Sequence, residues 1–90
     1  MCWTGTGATL AANKVPGVRA ALYHDAETAK GARIWNHANV LGLSLRATPE
    51  AMAKEILDAW FETPFSDDEW NLCQMRRIRE AEQRYGPLGK

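Results

Sequence analysis

Short apolar runs alternate with segments of helical periodicity along this chain. Three apolar runs predict strands: residues 1–3, 18–23 and 39–44. Four segments predict helices: residues 8–14, 25 to about 35, 48 to about 63, and 66 onward. The last of the three strands is apolar enough to be buried on both faces, as strands of parallel sheets are. Strands that alternate with helices therefore predict an α/β fold with a parallel sheet.

Capping signals mark where the predicted helices begin. Asp25 can cap the second helix, while Thr48 and Pro49 give the third a cap and a proline at its first helical position. Ser66 and Glu69 have the spacing of a capping box at the start of the last helix. One face of the third helix is apolar and is predicted to pack in the core: Met52, Ile56, Ala59 and Trp60.

A chain of 90 residues with 46% hydrophobic and 24% charged side chains predicts one small folded domain. We assign that domain to residues 1–85 and expect residues 86–90 to form a frayed tail. The net charge is zero, which gives no electrostatic reason to expect nucleic acid or an anionic membrane as a partner. No apolar run approaches the roughly 18–20 residues of a membrane span, and no signal peptide is visible.

The two cysteines, Cys2 and Cys73, lie far apart and lack the spacing of a metal site. This usage argues against a disulfide scaffold and is typical of the reducing cytoplasm, where we expect the protein to work. The acidic run at Asp67, Asp68 and Glu69 is better explained by a helix N-terminus, which favours acidic side chains, than by a bound metal.

A glycine loop, Thr4-Gly5-Thr6-Gly7, follows the first apolar run and precedes a helix. Glycines allow a tight turn and a close approach to a ligand, and free N–H groups at a helix start attract anions. The loop matches neither nucleotide-binding fingerprint, because Leu10 stands at the third glycine of one and Lys14 does not follow a glycine as the other requires. An anion site and a tight turn without a ligand both remain open.

Cys2 lies where the strand would deliver a side chain to the mouth of this loop. Helix N–H dipoles lower the pKa of a nearby thiol, so Cys2 is a candidate thiolate base or nucleophile. A small apolar cysteine buried in the core is the alternative.

The segment from Cys2 to Leu22 resembles the hallmark segment of the ribose-5-phosphate isomerase B and galactose-6-phosphate isomerase family. The shared residues follow the pattern C-x-T-G-x-G-x-x-x-A-A-N-K-V-P-G-V-R-A-A-L. The likeness continues to about Arg77 through further groups: Trp35-Asn36, Asn39-Val40-Leu41, Arg46, Ala53-Lys54-Glu55-Ile56 and Asp58-Ala59-Trp60.

The resemblance covers only the C-terminal half of that family. The N-terminal half of family members carries an Asp-His pair that helps to bind substrate, and no such segment stands in this sequence. Three short strands also give little material for a parallel sheet covered on both faces. We therefore expect a truncated form of a longer protein, or a chain that relies on a partner subunit. In isolation such a chain is expected to dimerise or aggregate.

The resemblance implies a Rossmann-like three-layer α/β/α fold, of which this chain is the C-terminal portion. It also implies an enzyme that interconverts aldose and ketose forms of a pentose or hexose phosphate through an enediolate, without a metal or other cofactor. Family members work as homodimers or larger assemblies with active sites at the subunit boundary. By the same resemblance Cys2 is the catalytic base, and Thr4 holds the enediolate oxygens with the loop backbone. The implied substrate-binding residues are Trp3, Gly5, Thr6, Gly7, Trp35, Asn36, Arg46 and Arg77.

Four features depart from the family pattern. Trp3 replaces a residue that is usually glycine, and Trp35 replaces the histidine credited with opening the sugar ring. His37 is a candidate replacement for that histidine, although two residues along a helix end point in different directions. Cys73 stands near the position of a second phosphate-binding arginine, and the acidic segment 66–69 replaces a Gly-Gly-Arg-His segment.

These departures predict a divergent substrate and leave two alternatives to an active isomerase. One is a non-catalytic sugar-phosphate-binding or partner subunit of the same fold. The other is a truncated product that neither folds well alone nor works.

Overall fold

The computed structural model describes residues 1–86, and the structural statements below concern these residues. They form four helices and two strands: α1 (Thr6–Ala12), β1 (Ala20–Leu22), α2 (Ala26–Asn36), β2 (Val40–Gly42), α3 (Glu50–Glu62) and α4 (Glu69–Tyr85). The predicted tail falls, apart from Gly86, outside the described residues. Within the described part of the chain, no helix is both long and apolar enough to cross a membrane.

The two strands pair in parallel, with Ala20 opposite Val40 and Leu22 opposite Gly42. The first predicted strand is reduced to a single parallel bridge between Cys2 and Ser44. Backbone N–H groups of the segment after Ser44 continue this contact, since that of Leu45 donates to the Cys2 carbonyl at 2.9 Å. The parallel sheet is thus confirmed, but the prediction of a strand at residues 1–3 is wrong beyond one bridge. The chain turns away at once because the glycine loop begins at residue 4.

Side chains of the two strands alternate between two helical layers. Leu41 of β2 and Leu43, which follows the strand, pack with Tyr23 in the core, together with residues of α2 and α3. Gly42 faces the other way, where an added Cβ atom would collide with the Thr9 hydroxyl of α1. The sheet therefore lies between α1 on one face and α2 with α3 on the other, which confirms the three-layer α/β/α prediction.

The core lies between the sheet and the α2–α3 layer. Its members are small or apolar and come from α2, α3 and the segments that adjoin the two strands: Tyr23, Ala29, Ala32, Ala38, Leu43, Ile56, Ala59 and Trp60. The face predicted on the third helix is confirmed, because three of its four residues are buried and Met52 packs against them. By contrast, the prediction that the strand at 39–44 is buried on both faces is wrong for Val40, which is 36% exposed. Val40 shares the Gly42 face, and the seven-residue α1 is too short to cover both.

Two helix starts differ from their predictions. Helix α3 begins at Glu50, and no side chain caps it: Pro49 itself, in an extended conformation, holds the cap position predicted for Thr48. Helix α4 is capped by Asp68, whose carboxylate accepts from the N–H groups of Trp70 and Asn71, and not by Ser66. The Ser66 hydroxyl instead accepts from the Asp68 N–H at 3.1 Å and shapes the preceding turn. Asp25 caps α2 as predicted, accepting from the Thr28 N–H at 2.7 Å.

Two asparagines fix the segment that leads into β1. The side chain of Asn13 donates to the Ala20 carbonyl at 2.8 Å and accepts from its N–H at 2.7 Å, as a neighbouring strand would. The side chain of Asn39 accepts from the Arg19 N–H and donates to the Gly17 carbonyl. These bonds give the N-K-V-P-G part of the sequence pattern a structural purpose, since they hold the end of α1 against the sheet.

Candidate active site

The glycine loop reaches α1 through a residue that must be glycine. Gly5 adopts φ 83°, in the left-handed region, and caps the helix, which begins at Thr6, two residues earlier than predicted. An added Cβ atom at Gly5 would meet the Leu22 side chain and lie 3.1 Å from the backbone carbon of Leu43. The loop is therefore pressed onto the carboxyl ends of both strands. Gly7 differs, because the space around its Cβ position is open.

The Cys2 thiol faces the amide groups of this loop. The N–H of Ala8 is the main cause that lowers the pKa of Cys2, with smaller contributions from the N–H groups of Gly5, Thr4 and Gly7, while burial opposes them. The side chain is partly buried and forms no disulfide within the described residues. A lowered pKa raises the thiolate fraction of Cys2 at a given pH, which is a property that a base or nucleophile requires.

Hydroxyl groups lie on the outer side of the loop. The Thr4 and Thr6 hydroxyls are 2.8 Å apart and both residues are exposed. The Thr9 hydroxyl is not available to a ligand in the same way, because it donates to the Gly5 carbonyl at 2.7 Å. The loop thus offers two exposed hydroxyls in addition to the N–H groups that face the Cys2 thiol.

Arg46 and Trp3 adjoin the loop through the backbone. The N–H of Arg46 and the hydroxyl of Ser44 both donate to the Trp3 carbonyl, each at 3.0 Å. The Trp3 side chain is 66% exposed. We call this group, Cys2 to Gly7 with Arg46, the thiol loop.

The remaining predicted site residues line a different surface. Trp35, Asn36 and Arg77 lie along a groove of about 670 Å³ between the end of α2 and α4, which we call the α2/α4 groove. Its other lining residues all come from α4: Trp70, Asn71, Gln74, Met75, Ile78 and Ala81. The Trp35 indole lies back over Gly31, where an added Cβ atom would come within 2.9 Å of the ring.

The thiol loop and the α2/α4 groove lie at opposite ends of the sheet. Cys2 pairs with Ser44, two residues beyond the end of β2, whereas Asn36 precedes the start of β2 by four residues. At about 3.3 Å per residue, β2 alone separates these levels by roughly 10 Å or more. One copy of the chain therefore does not bring Asn36 and Arg77 to the Cys2 thiol.

Comparisons with known proteins agree with this architecture. The family model described as ribose/galactose isomerase matches residues 1–79. The chain belongs to the ribose/galactose isomerase family. It is 45% identical over 65 residues to the D-erythrulose-4-phosphate isomerase of Pectobacterium atrosepticum, covering 72% of this chain and 43% of that protein. It is 37% identical over 80 residues to galactose-6-phosphate isomerase subunit LacB of Clostridium acetobutylicum, covering 89% and 46%.

Solved structures of the ribose/galactose isomerase family share the fold. The type B ribose 5-phosphate isomerase of Trypanosoma cruzi superposes with a TM-score of 0.90 at 43% identity, covering 92% of this chain and 55% of that one. The Mycoplasma genitalium ribose-5-phosphate isomerase B, solved with bound ribulose-5-phosphate, superposes with a TM-score of 0.86 at 36% identity, covering 91% and 53%. The chain thus spans about half the length of the relatives it matches.

His37, the candidate replacement for the ring-opening histidine of the family, has a different place. It ends α2 in the left-handed conformation, with φ 49°, and is only 8% exposed. Its Nε2 atom lies 2.6 Å from the Ser66 carbonyl oxygen, and its ring stacks on Phe65 with centroids 4.6 Å apart. Because the His37 ring makes these contacts within the fold, the structure gives no support to the hypothesis that His37 opens the sugar ring.

Sequence reasoning missed Trp70 and Gln74, which share the α2/α4 groove with Arg77. A signal was present, because residues 70, 74, 77, 78 and 81 recur at helical spacing and must line one face of the last helix. Matching to the family pattern singled out Arg77 alone on that face, since the neighbouring residues carry no family motif.

Proposed function

We propose that this chain is the C-terminal half of an aldose–ketose isomerase that acts on a pentose or hexose phosphate, with Cys2 as the catalytic base. The observation that carries the proposal is the Cys2 thiol directed at the N–H groups of Ala8, Gly5, Thr4 and Gly7, which lower its pKa. Relatives named for ribose-5-phosphate and galactose-6-phosphate supply the substrate class.

The chemistry begins with the open-chain sugar. The Cys2 thiolate removes the proton from C2, the C–H electron pair forms the C1–C2 double bond, and the carbonyl oxygen becomes an oxyanion. The Thr4 hydroxyl and the N–H groups of Gly5, Thr6 and Gly7 donate to the enediolate oxygens as charge develops. The hydroxyl proton on O2 passes to O1, and the Cys2 thiol returns its proton to C1. The electron pair of the C1–C2 double bond forms the new C1–H bond, and C2 becomes the carbonyl carbon of the ketose.

The separation of the thiol loop from the α2/α4 groove supports an active site shared between subunits. In a homodimer or larger assembly, the groove residues Asn36 and Arg77 of one copy would face the thiol loop of the other. Asn36 would hydrogen-bond sugar hydroxyls, and Arg77, with Arg46 beside the loop, would meet hydroxyls or phosphate oxygens. We place this assembly in the cytoplasm, where Cys2 stays reduced.

Two tryptophans distinguish the site from the family pattern in this proposal. Trp3 places an exposed indole beside the thiol loop, where a bulky ring narrows the space for the sugar. Trp35 stands in place of the ring-opening histidine, and His37 is held elsewhere by Ser66 and Phe65. In this proposal neither residue opens the sugar ring, so the Cys2 thiolate acts on the open-chain fraction of the sugar phosphate.

A second candidate is a non-catalytic sugar-phosphate-binding subunit. The observation that favours it is that Trp35 stands in place of the ring-opening histidine. A chain without the ring-opening group can bind a sugar without converting it. This candidate keeps the α2/α4 groove as a binding site and assigns no chemistry to Cys2.

Exchange of the C2 proton of sugar phosphates with deuterated water separates the two candidates. We expect exchange with the wild type and with Cys73→Ala, and loss of exchange with Cys2→Ala. Exchange that persists in Cys2→Ala would exclude Cys2 as the base. Binding of a sugar phosphate without any exchange in the wild type would favour the non-catalytic candidate.

A further inference from the structure

The α2/α4 groove contains an amide without a partner. The Nε2 atom of Gln74 is buried, and within the described residues it forms no hydrogen bond. Its Oε1 atom also has no bond among the described hydrogen bonds of residues 1–86, so neither end of the carboxamide is fixed by the fold. Buried N–H donors are rarely left unpaired in native proteins, because each costs free energy of desolvation.

Gln74 is placed so that a small movement brings its donor to a ligand. The residue is partly exposed and lines the groove together with Trp35, Asn36 and Arg77. A half-turn of the terminal torsion exchanges Nε2 and Oε1, and this torsion is soft because the amide is bonded to nothing that resists it. An acceptor in the groove would then satisfy the N–H group, and the buried atom would be a carbonyl oxygen, which tolerates missing partners better than a donor does.

The rest of the groove indicates what kind of acceptor it takes. Trp35 and Trp70 both line the groove and are 61% and 69% exposed, although aromatic rings of this size are normally covered. Arg77 is the one cationic side chain among the lining residues, so the groove offers one charged contact for a phosphate. The remaining polar groups are the neutral amides of Asn36, Asn71 and Gln74, which suit hydroxyl groups.

We propose that Gln74 is a specificity-determining residue whose amide donates to a hydroxyl oxygen of the sugar, while Trp70 covers an apolar C–H face of the same sugar. The inference deepens the proposed function and rests on it for the identity of the ligand as a sugar phosphate. Gln74 contacts the sugar part, and Arg77 contacts the phosphate. Gln74 therefore contributes to affinity for the sugar phosphate and nothing to affinity for phosphate alone.

Calorimetric titration with ribose 5-phosphate and with inorganic phosphate tests this division. Gln74→Met keeps the shape of the side chain and removes its hydrogen bond, so we expect a dissociation constant for ribose 5-phosphate about threefold to tenfold higher, as for loss of one neutral hydrogen bond. The dissociation constant for inorganic phosphate should not change. Gln83→Met is the matched control, because Gln83 is exposed on the same helix and does not line the groove, and it should bind both ligands as the wild type does.

Unchanged affinity of Gln74→Met for ribose 5-phosphate would overturn the inference. So would an equal loss for both ligands, which indicates a structural role, and so would absence of ribose 5-phosphate binding by the wild type. Trp70→Leu gives a second test, because it should also weaken the binding of ribose 5-phosphate and leave the binding of inorganic phosphate unchanged. Failure of the isomerase proposal is distinguishable: binding that depends on Gln74 without exchange of the C2 proton rejects catalysis and keeps the inference.

Discussion

The Nε2 atom of His37 lies 2.6 Å from the carbonyl oxygen of Ser66, and this contact ties the end of α2 to the segment before α4. Phe65 adds to this contact. Its ring stacks on the His37 ring, and the Arg33 guanidinium lies 4.4 Å from the centroid of the Phe65 ring. The same guanidinium lies 4.5 Å from the centroid of Trp60 in the core. The position of α4, and with it the α2/α4 groove, thus depends on a stack of side chains that begins in the core.

Replacing His37 should destabilise the fold. His37→Ala removes a buried stacked ring and one hydrogen bond, so we expect the free energy of unfolding to fall by about 2 kcal/mol. Urea denaturation monitored by tryptophan fluorescence measures this. His24→Ala is the control, because His24 is exposed, and it should change little. Equal stability of both variants would show that the contact of His37 with Ser66 does not hold α4 in place.

Gly5 and Gly7 should respond differently to alanine. Gly5→Ala forces a side chain into the left-handed region and against the backbone of Leu43, so the free energy of unfolding should fall by about 1–3 kcal/mol. Gly7→Ala meets open space within α1 and should be neutral or slightly stabilising. Thermal unfolding of the two variants measures the contrast. Equal melting temperatures would contradict the close approach of the loop to both strands.

Removal of the Tyr23 hydroxyl should not harm the fold. Tyr23 is 0% exposed, and within residues 1–86 its hydroxyl has no hydrogen-bond partner. Tyr23→Phe removes an unpaired buried polar group, so we expect unchanged stability or a gain of about 1 kcal/mol at neutral pH. A loss of several kcal/mol in urea denaturation would mean that the hydroxyl has a partner.

The same residue predicts a pH dependence. Burial raises the pKa of Tyr23 to about 12, with the Arg33 charge acting in the opposite direction. The unfolded chain releases this proton near pH 10. The contribution of the protonated Tyr23 phenol to the free energy of unfolding is therefore complete below about pH 10 and is lost as the pH rises towards 12. The stability of the wild type should therefore fall relative to Tyr23→Phe over that range. Parallel pH profiles of the two proteins would contradict a buried phenol.

Cys2 should react as a thiolate at lower pH in the folded protein than in the unfolded chain. The N–H of Ala8, with those of Gly5, Thr4 and Gly7, lowers the pKa of the thiol below its usual value. In a Cys73→Ser background, the rate of iodoacetamide alkylation against pH should have its midpoint at lower pH in buffer than in concentrated urea. The matching Cys2→Ser variant reports Cys73 alone. Identical midpoints in buffer and urea would show that the loop amides do not act on Cys2.

Local signals in the sequence were sufficient for the layers of the fold. Apolar runs predicted both paired strands, and Asp25 predicted the start of α2, because a strand or a cap depends on residues close in sequence. The cap of α4 was missed, since Ser66 and Asp68 both suit that role and the path of the backbone decides between them. The bridge of Cys2 to Ser44 was also beyond reach, because it joins residues far apart in sequence.

The candidate site shows the same limit. The glycine loop and Cys2 are contiguous in sequence, so their approach could be predicted from the spacing. Whether Asn36 and Arg77 lie near Cys2 depends on which end of the sheet each helix reaches, and only the structure places them at the opposite end. Gln74 carries no motif, and the missing partner of its amide becomes visible only once its surroundings are known.

The most direct test of a shared isomerase site is complementation between two inactive variants. Cys2→Ala lacks the base and Asn36→Ala lacks a groove contact, so each alone should show little exchange of the C2 proton with any sugar phosphate that the wild type converts. After the two are unfolded together and refolded, about a quarter of the wild-type rate should return, because half of randomly paired dimers hold one intact site. Mixtures that stay as inactive as their components would contradict a site formed between the thiol loop of one copy and the α2/α4 groove of another.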